Sequence, residues 1–586
     1  MPSPLDAALQ QHRAGRLEEA AALYWQSLAA EPGCALAWNM LGNVEYQRGH
    51  IEDALQLIDK AIELDPAAPA YRITLGHVYR RKGELATACV CYRKALDLAP
   101  DSSLAALSLA DALRRRGELV EAVAVLQGAL THRPDHPEAL AALGEVCLLL
   151  EQPAEAGLAF TRLLGIQGDS ADALFGLGVA SSQQGNEALA IRCFEKSLVL
   201  RPEFPEAIYN LGVIAAAQQR LEPAEAWFRR ALAIRPGYVD AQVNLSAVLL
   251  RRGRAAEARK HREAAYRQQC VFVRSSRTAQ RTVLILFDAG RGNVNLSHLF
   301  SSQQNNVIDW MIEYAAEGQA EALPPFDLVF NAMGDPDMTG AAGPPAARFI
   351  AACRRPVLNR PEAVAQTARD QLPALLQGID GLFVPDVRRI VAEPGISTQM
   401  RDRLPLLVRP VDTHGGEGLQ LATSVDELDR IVSLGGQPLY VAPFCDFRSD
   451  DGWYRKYRVI FIDRQPFPYH LAIASHWLVH YATADMEEHP WKVEEERRFL
   501  EHPERALGEA GLAAIAAIGA RMDLDYAGVD FSVLGDGRIV VFEANPVMFA
   551  HPEDPQGVLA HKNPYVARIF SAFEALLART ASVAAA

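Results

Sequence analysis

Residues 38–66 read WNMLGNVEYQRGHIEDALQLIDKAIELDP. Leu41, Gly49, Ala54 and Pro66 each belong to a series that returns at a spacing of 34 residues. Ala20, Ala54, Ala88, Ala122, Ala156, Ala190, Ala224 and Ala258 follow without a slip, and so do Leu41, Leu75, Leu109, Leu143, Leu177, Leu211 and Leu245. Pro32, Pro66, Pro100, Pro134, Pro202 and Pro236 close most of the units. A fixed period of this length marks a stacked array of supersecondary units. Its internal pattern predicts two packed helices per unit. The Ala lets them approach, the Leu fills the seam, and an aromatic four residues after the Ala (Tyr24, Tyr92, Phe160, Phe194, Phe228) caps it. Gly15, Gly49, Gly83, Gly117, Gly185 and Gly253 stand at the turn between the helices, where a left-handed residue is wanted.

This stretch and IYNLGVIAAAQQRLEPAEAWFRRALAIRP (208–236) resemble tetratricopeptide repeats. The resemblance covers residues 1–266 as about eight units. It implies an all-α superhelix with a concave face for a peptide or protein partner. Carried over by register, that face includes Asn43, His77, Arg80, Arg81, Arg114, Arg115, Phe175 and Tyr209. The four arginines stand together and suit an acidic peptide; a solvated basic helix end is the plainer alternative.

After residue 266 the period stops, and 267–281 reads as a charged, Ser-containing linker. TVLILFDA (282–289) and FDLVFNAM (326–333) are near-continuous apolar runs, the signature of buried parallel strands. GDPD and a helix-like AARFIAACRR follow the second run, so strands alternate with helices in an α/β arrangement. Further on, strand LLVRP leads into the Gly-rich loop THGGEGL, then strand QLA and a helix capped by Ser424. Glycines in such a loop bring backbone N–H groups close to phosphate oxygens. Neither GxxxxGK[ST] nor a helix-opening GxGxxG is present, so the loop is not a Walker or dinucleotide site.

The most telling stretch is DYAGVDFSVLGDGRIVVFEANP (525–546), a hairpin turning at GDG. Glu543 and Asn545 are two apart and share a strand face; Asp530 on the partner strand faces them across the ladder. Two carboxylates and an amide oxygen are hard ligands suited to magnesium or manganese. Solvated edge acids are the alternative, but the apolar flanks imply a buried strand, where an unpaired acid is expensive.

VRP…HGGEGL, the hinge-like LYVAPFCD, KYRVIFI and the D…E-x-N ending together resemble an ATP-grasp domain. The resemblance implies a pre-ATP-grasp α/β domain at 282–360, an ATP-grasp α+β domain at 361–580 and a tail at 581–586. It implies ATP and Mg²⁺ (or Mn²⁺) as cofactors, and a carboxylate–amine ligase working through an acyl phosphate with ADP and phosphate as products. It assigns Asp530, Glu543 and Asn545 to the metal, and Gly415, Gly416 and Gly418 to the phosphate loop. Tyr440, Val441 and Phe444 match the adenine hinge, and Asp446 a ribose contact. Arg409 and Arg369 stand where the family usually has lysines; Arg458 matches an arginine for the triphosphate or acyl phosphate. A scaffold whose second half only binds nucleotide, or transfers phosphoryl groups otherwise, is the competing reading.

CDFRSDDGWYRKYRVIFIDRQPFPYHLAIASHWLVHYATADM (445–486) is richer than the family pattern. It offers Tyr454, Lys456, His470, His476 and His480 as substrate contacts, with His551 just beyond EANPVMFA; satisfied structural histidines are the plainer alternative. His476 and His480 are expected as helix neighbours; HWLVH lacks the glutamate of HExxH, so a zinc protease is not indicated.

The composition bounds these readings. The chain has 586 residues, 49% hydrophobic, and a net charge of −14, so a nucleic-acid-coating protein is disfavoured and several domains are expected. No basic-then-apolar leader and no apolar run of about 18 residues appears, which predicts a cytoplasmic chain without a membrane span. The eight cysteines contain no CxxC pair, so a structural zinc site or a disulfide framework is not expected.

Overall fold

The computed structural model describes residues 3–276, 278–290, 292–296, 298–391, 399–413, 416–433 and 438–585. The chain divides into two compact units, Met1–His261 and Arg262–Ala586.

The first unit is a ladder of antiparallel helix pairs. Sixteen helices are described from Pro4–Arg13 to Ala255–Gln268, two for each period. The alanines of the series are almost completely buried, as are Tyr24, Tyr92, Phe194 and Phe228. A second small position, one residue after the Leu, proves equally restrictive. A Cβ added to Gly76, Gly178 or Gly212 would stand 2.4, 2.6 or 2.7 Å from the ring of Tyr92, Phe194 or Phe228. The aromatic thus lies directly on the backbone of the preceding helix. The turn glycines have positive φ, and Glu151 (φ 57°) and Gln219 (φ 62°) take the same conformation where the series lacks Gly. The period therefore imposes a left-handed residue in these units whatever the side chain.

Among the described residues, the second unit contains three sheets. β1 (Val271–Arg274), β2 (Arg281–Phe287), β3 (Asn305–Met311), β4 (Leu328–Asn331) and β5 (Val357–Leu358) form the first, in the order β1-β3-β2-β4-β5. β2 runs parallel to β3 and β4, and the edge strand β1 antiparallel to β3. β1 corrects the reading of 267–281 as linker: its alternating VFVR pairs with β3, whose own polar-interrupted sequence NNVIDWM hid it from a search for apolar runs.

β6 (Leu382–Phe383) is followed by β7 (Arg388–Ile390), β8 (Leu406–Pro410), β9 (Gln420–Ala422) and β10 (Leu439–Pro443). β7 to β10 make a small antiparallel sheet, β7-β10-β8-β9, backed by helix Val425–Ser433. β11 (Tyr454–Ile462), β12 (Gln465–Ala474), β13 (Tyr526–Val533) and β14 (Ile539–Asn545) form the third sheet, which β6 extends by pairing parallel to β14. Phe461, Phe531 and Ile518 belong to the core on one face of this sheet, while Ile460 and Tyr526 belong to another core with Phe330 and Phe573. Strands buried on both faces explain the unbroken apolar runs. Among the described residues no helix is long and apolar enough to cross a membrane.

Candidate functional site

The second unit holds a cleft of about 780 Å³. Its walls come from the small sheet (Leu407, Arg409, Tyr440, Ala442, Pro443), the large sheet (Lys456, Arg458, Asp530, Glu543, Asn545) and the segment His476–Thr483. Arg369, Gly416 and Phe444 also line it.

The floor is the β13–β14 hairpin. Asp530 stands opposite Glu543 in the ladder, next to an irregularity in register. Arg458 Nε and Nη2 donate to Asp530 at 2.6 and 2.9 Å, and Lys456 Nζ approaches it at 3.1 Å. The alternation of β11 puts Lys456 and Arg458 on one face, and Arg458 is in register with Asp530. Burial opposes ionisation of Asp530, yet Arg458 and then Lys456 outweigh it and hold this carboxyl well below the usual range. Glu543 is paired with Arg369 and accepts from Asn545 Nδ2 at 2.8 Å.

Arg409 sits apart from these pairs. Its Nη2 donates to the carbonyl of Thr413, and its Nε is buried with no hydrogen-bond partner among the described residues. Burial first, then repulsion from Arg369, lowers its pKa to about 10. Two guanidiniums crowded in a cleft, one with a donor unused among the described residues, have the charge and the hydrogen-bonding groups to receive an anion.

Acids also stand past the carboxyl ends of the parallel strands: Asp288 follows β2, Glu313 lies in the 3-10 turn Ile312–Tyr314 after β3, and Asp335 follows β4. Burial, then Asp288, pushes the Glu313 carboxyl up to about 7. Asp337 accepts from Tyr440 Oη at 2.7 Å and pairs with Arg389, tying the loop after β4 to β7 and β10. Sequence reasoning quoted GDPD without giving it a role; its position after a parallel strand was the available signal.

The expected residues separate into two groups. Arg369, Arg409, Gly416, Tyr440, Phe444, Lys456, Arg458, His476, His480, Asp530, Glu543 and Asn545 all line the cleft. Several others do not. Val441 is buried in the core of the small sheet, and Gly418 packs against Pro410. Asp446 is engaged by Arg448 on an exposed turn. Tyr454 is buried against Phe447, its hydroxyl accepting from Arg448 at 3.1 Å. His470 is 5% exposed and stacks on Tyr481 behind the wall. His551 packs tilted against Phe549 and uses its backbone N–H toward Tyr469 Oη. Gly415 lies outside the described residues. His476 and His480 are not helix neighbours, because residues 475–478 form bends and 479–480 run irregularly into a short 3-10 turn, Tyr481–Thr483. The wall residues Trp477, Leu478, Phe542, Met548 and Phe549 had no polar signal to mark them.

In the first unit, Arg80, Arg114 and Arg115 approach Asp111 at 3.5, 2.8 and 2.9 Å. Arg81 donates to the carbonyl of Tyr46 at 3.2 Å. The basic cluster thus has a counter-ion of its own that the sequence reading omitted. His77 meets Ser108 at 3.3 Å, and Asn43 accepts from Gln47 at 3.4 Å. Phe175 packs against Phe194 and Phe204, and Tyr209 accepts from Asn244 at 2.8 Å.

Tetratricopeptide-repeat family models match residues 5–69, 73–137 and 175–239, and further models of that repeat match 113–177 and 239–264. The N-terminal part of the chain is a tetratricopeptide repeat array. Similar solved structures include the MamA protein (21% identity, 28% of this chain and 90% of that one, TM-score 0.26). YrrB, described as a TPR protein with an unusual peptide-binding site, has 22% identity over 32% of this chain and 96% of its own, TM-score 0.29. A tetratricopeptide repeat protein from Parabacteroides merdae has 19% identity over 40% and 93%, TM-score 0.35. No curated protein matches the chain.

Proposed function

We propose that the protein is an ATP-dependent carboxylate–amine ligase of the ATP-grasp type, with its repeat array recruiting a peptide or protein substrate or carrier. The observation that carries this is the cleft floor: a cross-strand acid pair, buried Asp530 and half-buried Glu543, among Arg369, Arg409, Lys456 and Arg458. The orphaned Nε of Arg409 beside Arg369 fits a polyphosphate.

The acid pair and Asn545 fit a magnesium or manganese ion, since they are oxygen donors on one hairpin. Bound there, the ion would neutralise phosphoryl oxygens. The chain's own residues supply the rest: Arg369 and Arg409 hold phosphate charge, Tyr440 and Phe444 wall the hinge side, and Lys456 and Arg458 hold the Asp530 carboxylate ionised. In the reaction a substrate carboxylate attacks the terminal phosphate of ATP, releasing ADP. An amine then attacks the acyl phosphate, and phosphate leaves. Positioning and fixed charge are what such a site contributes.

The test is ADP and AMP release by the purified chain with magnesium and ATP across pooled amino acids and peptides, with Asp530→Asn and Glu543→Gln as controls. Substrate-dependent ADP release, lost in both controls, is the expected result. AMP release would replace the acyl phosphate by an adenylate.

A second reading is favoured by one finding: the family matches all lie within residues 5–264. On this reading the protein is a tetratricopeptide interaction scaffold, and its second half only binds nucleotide or transfers phosphoryl groups in another way. No ADP release together with no Mg-ATP binding would leave the scaffold alone standing. On either reading, reversing Arg80, Arg81, Arg114 and Arg115 to Glu is expected to abolish capture of an acidic partner; unchanged capture would move the partner away from this cluster.

A further inference from the structure

His480 reaches the cleft from the position immediately before the Tyr481–Thr483 turn. Its own backbone is extended (φ −128°, ψ 132°), and its side chain folds back to cap that turn. The contact is specific: the N–H of Ala482 donates to His480 Nδ1 at 3.3 Å. A backbone amide can only donate, so Nδ1 presents a lone pair and carries no proton. The ring's single proton is then on Nε2, across the ring. No hydrogen bond engages Nε2 among the described residues, and the ring is exposed to the cleft that Lys456 and Arg458 also line.

The surrounding charge agrees with a neutral ring. Burial, then Lys456 and Arg458, holds His480 below its ordinary pKa, with Asp530 pulling the other way. Protonating Nδ1 would break the Ala482 bond and add a third cation beside two.

We propose that His480 is a fixed, neutral Nε2–H donor to an anionic oxygen in the cleft, that of a phosphoryl or acyl-phosphate group, and that it is not a general base. This rests on the ligase reading and gives that site a donor for developing negative charge. A ring whose Nε2 carries hydrogen has no lone pair there to accept a proton. The bookkeeping of the second step closes without a base on the protein. The amine's lone pair forms the C–N bond, the C–O bond to phosphate breaks with its electron pair, and the leaving phosphate takes the amine's proton. A donor preorganised beside Lys456 and Arg458 gains strength as charge builds on the oxygen, and it needs no reorganisation.

Two measurements on the full chain decide this. With ¹⁵N-labelled histidine, long-range ¹H–¹⁵N spectra are expected to show the Nε2–H tautomer for the resonance that disappears in His480→Ala. An Nδ1–H or doubly protonated ring at neutral pH would overturn the proposal. The second measurement is titration of inorganic phosphate into the protein with Mg-ADP. His480→Ala is expected to weaken phosphate about tenfold, the scale of one hydrogen bond to a charged group. His480→Gln, whose side-chain amide also offers an N–H, is expected to restore most of it. Equal affinity in wild type and His480→Ala would overturn the donor role. Failure of the wild type to bind Mg-ADP would instead strike the nucleotide reading, while the tautomer measurement would still decide the state of the ring.

Discussion

In the repeat array, Phe194 lies on Gly178 in the preceding helix, and Arg201 reaches Asp172 across 29 residues. Glu225 is held by Arg229, Arg252 and Arg254 from its own and the adjoining unit. In the second unit Arg458 meets Asp530 across 72 residues, Asn359 meets Asp525 across 166, and Arg369 meets Glu543 across 174. The array is held by neighbours at a fixed spacing, the cleft by partners far apart in the chain. The difference teaches where damage should spread. A wound in the array is confined to adjoining repeats, because stability there is a sum of local terms. A wound in the cleft disturbs strands drawn from the whole unit.

The sharpest way to break this comparison is Arg458→Met. It leaves the Asp530 carboxylate, 3% exposed, with Lys456 as its remaining ion-pair partner. Removing one member of a buried pair costs about 3–5 kcal/mol. Hydrogen exchange is expected to accelerate across β11, β13 and β14 together, with the array helices unchanged.

Gly178→Leu is the matching wound in the array. Its side chain would meet the Phe194 ring, and overpacking of this kind costs about 1–3 kcal/mol. Exchange should quicken in Ala171–Gln183 and Glu187–Leu200 and fade over the next repeats. Equal loosening of the second unit would deny the locality argued for the array.

A third test uses pH. The pKa of Glu313 is raised in the folded protein, so its contribution to stability is full below the unfolded value of about 4.3 and is lost as pH rises through about 7. The depressed Asp530 works in the opposite sense: its contribution is present above the unfolded value of about 3.9 and is lost as pH falls through its lower folded value. Denaturant midpoints of the second unit should therefore decline between about pH 5 and 7, and Glu313→Gln should flatten that decline.

The smallest expected effect sharpens the role of the period. Glu151→Gly and Gln219→Gly relieve positive φ at the turn positions, and each should stabilise its repeat by about 0.5–1 kcal/mol in thermal unfolding. Loss of stability at both would mean that these side chains hold the turns by contacts outweighing their backbone strain.

Much of the cleft could be read from the sequence because its floor is a hairpin. Asp530, Glu543 and Asn545 are close in the chain, and period two assigns their faces. Lys456 and Arg458 alternate on β11 in the same way. His470, Tyr454 and His480 show what alternation leaves open. His470 lies on β12 yet stacks behind the wall on Tyr481, and Tyr454 packs into the core on Phe447. His480 belongs to a segment whose helical spacing with His476 is undone by bends. Density of polar residues in a stretch tells which groups are near one another, but not which of them points into a cavity.

By itself the sequence determined the repeat array, its turns, the buried strands and the Asp530–Glu543 hairpin. In each case the partner is local, and helical or strand periodicity fixes which face meets it. Only the tertiary structure decided that Arg369 reaches Glu543, that Asp111 answers the array's arginines, that 271–274 is an edge strand, and that His480 turns Nδ1 back on Ala482. These depend on which surfaces pack together over long separations and on single side-chain torsions, and no local period encodes either.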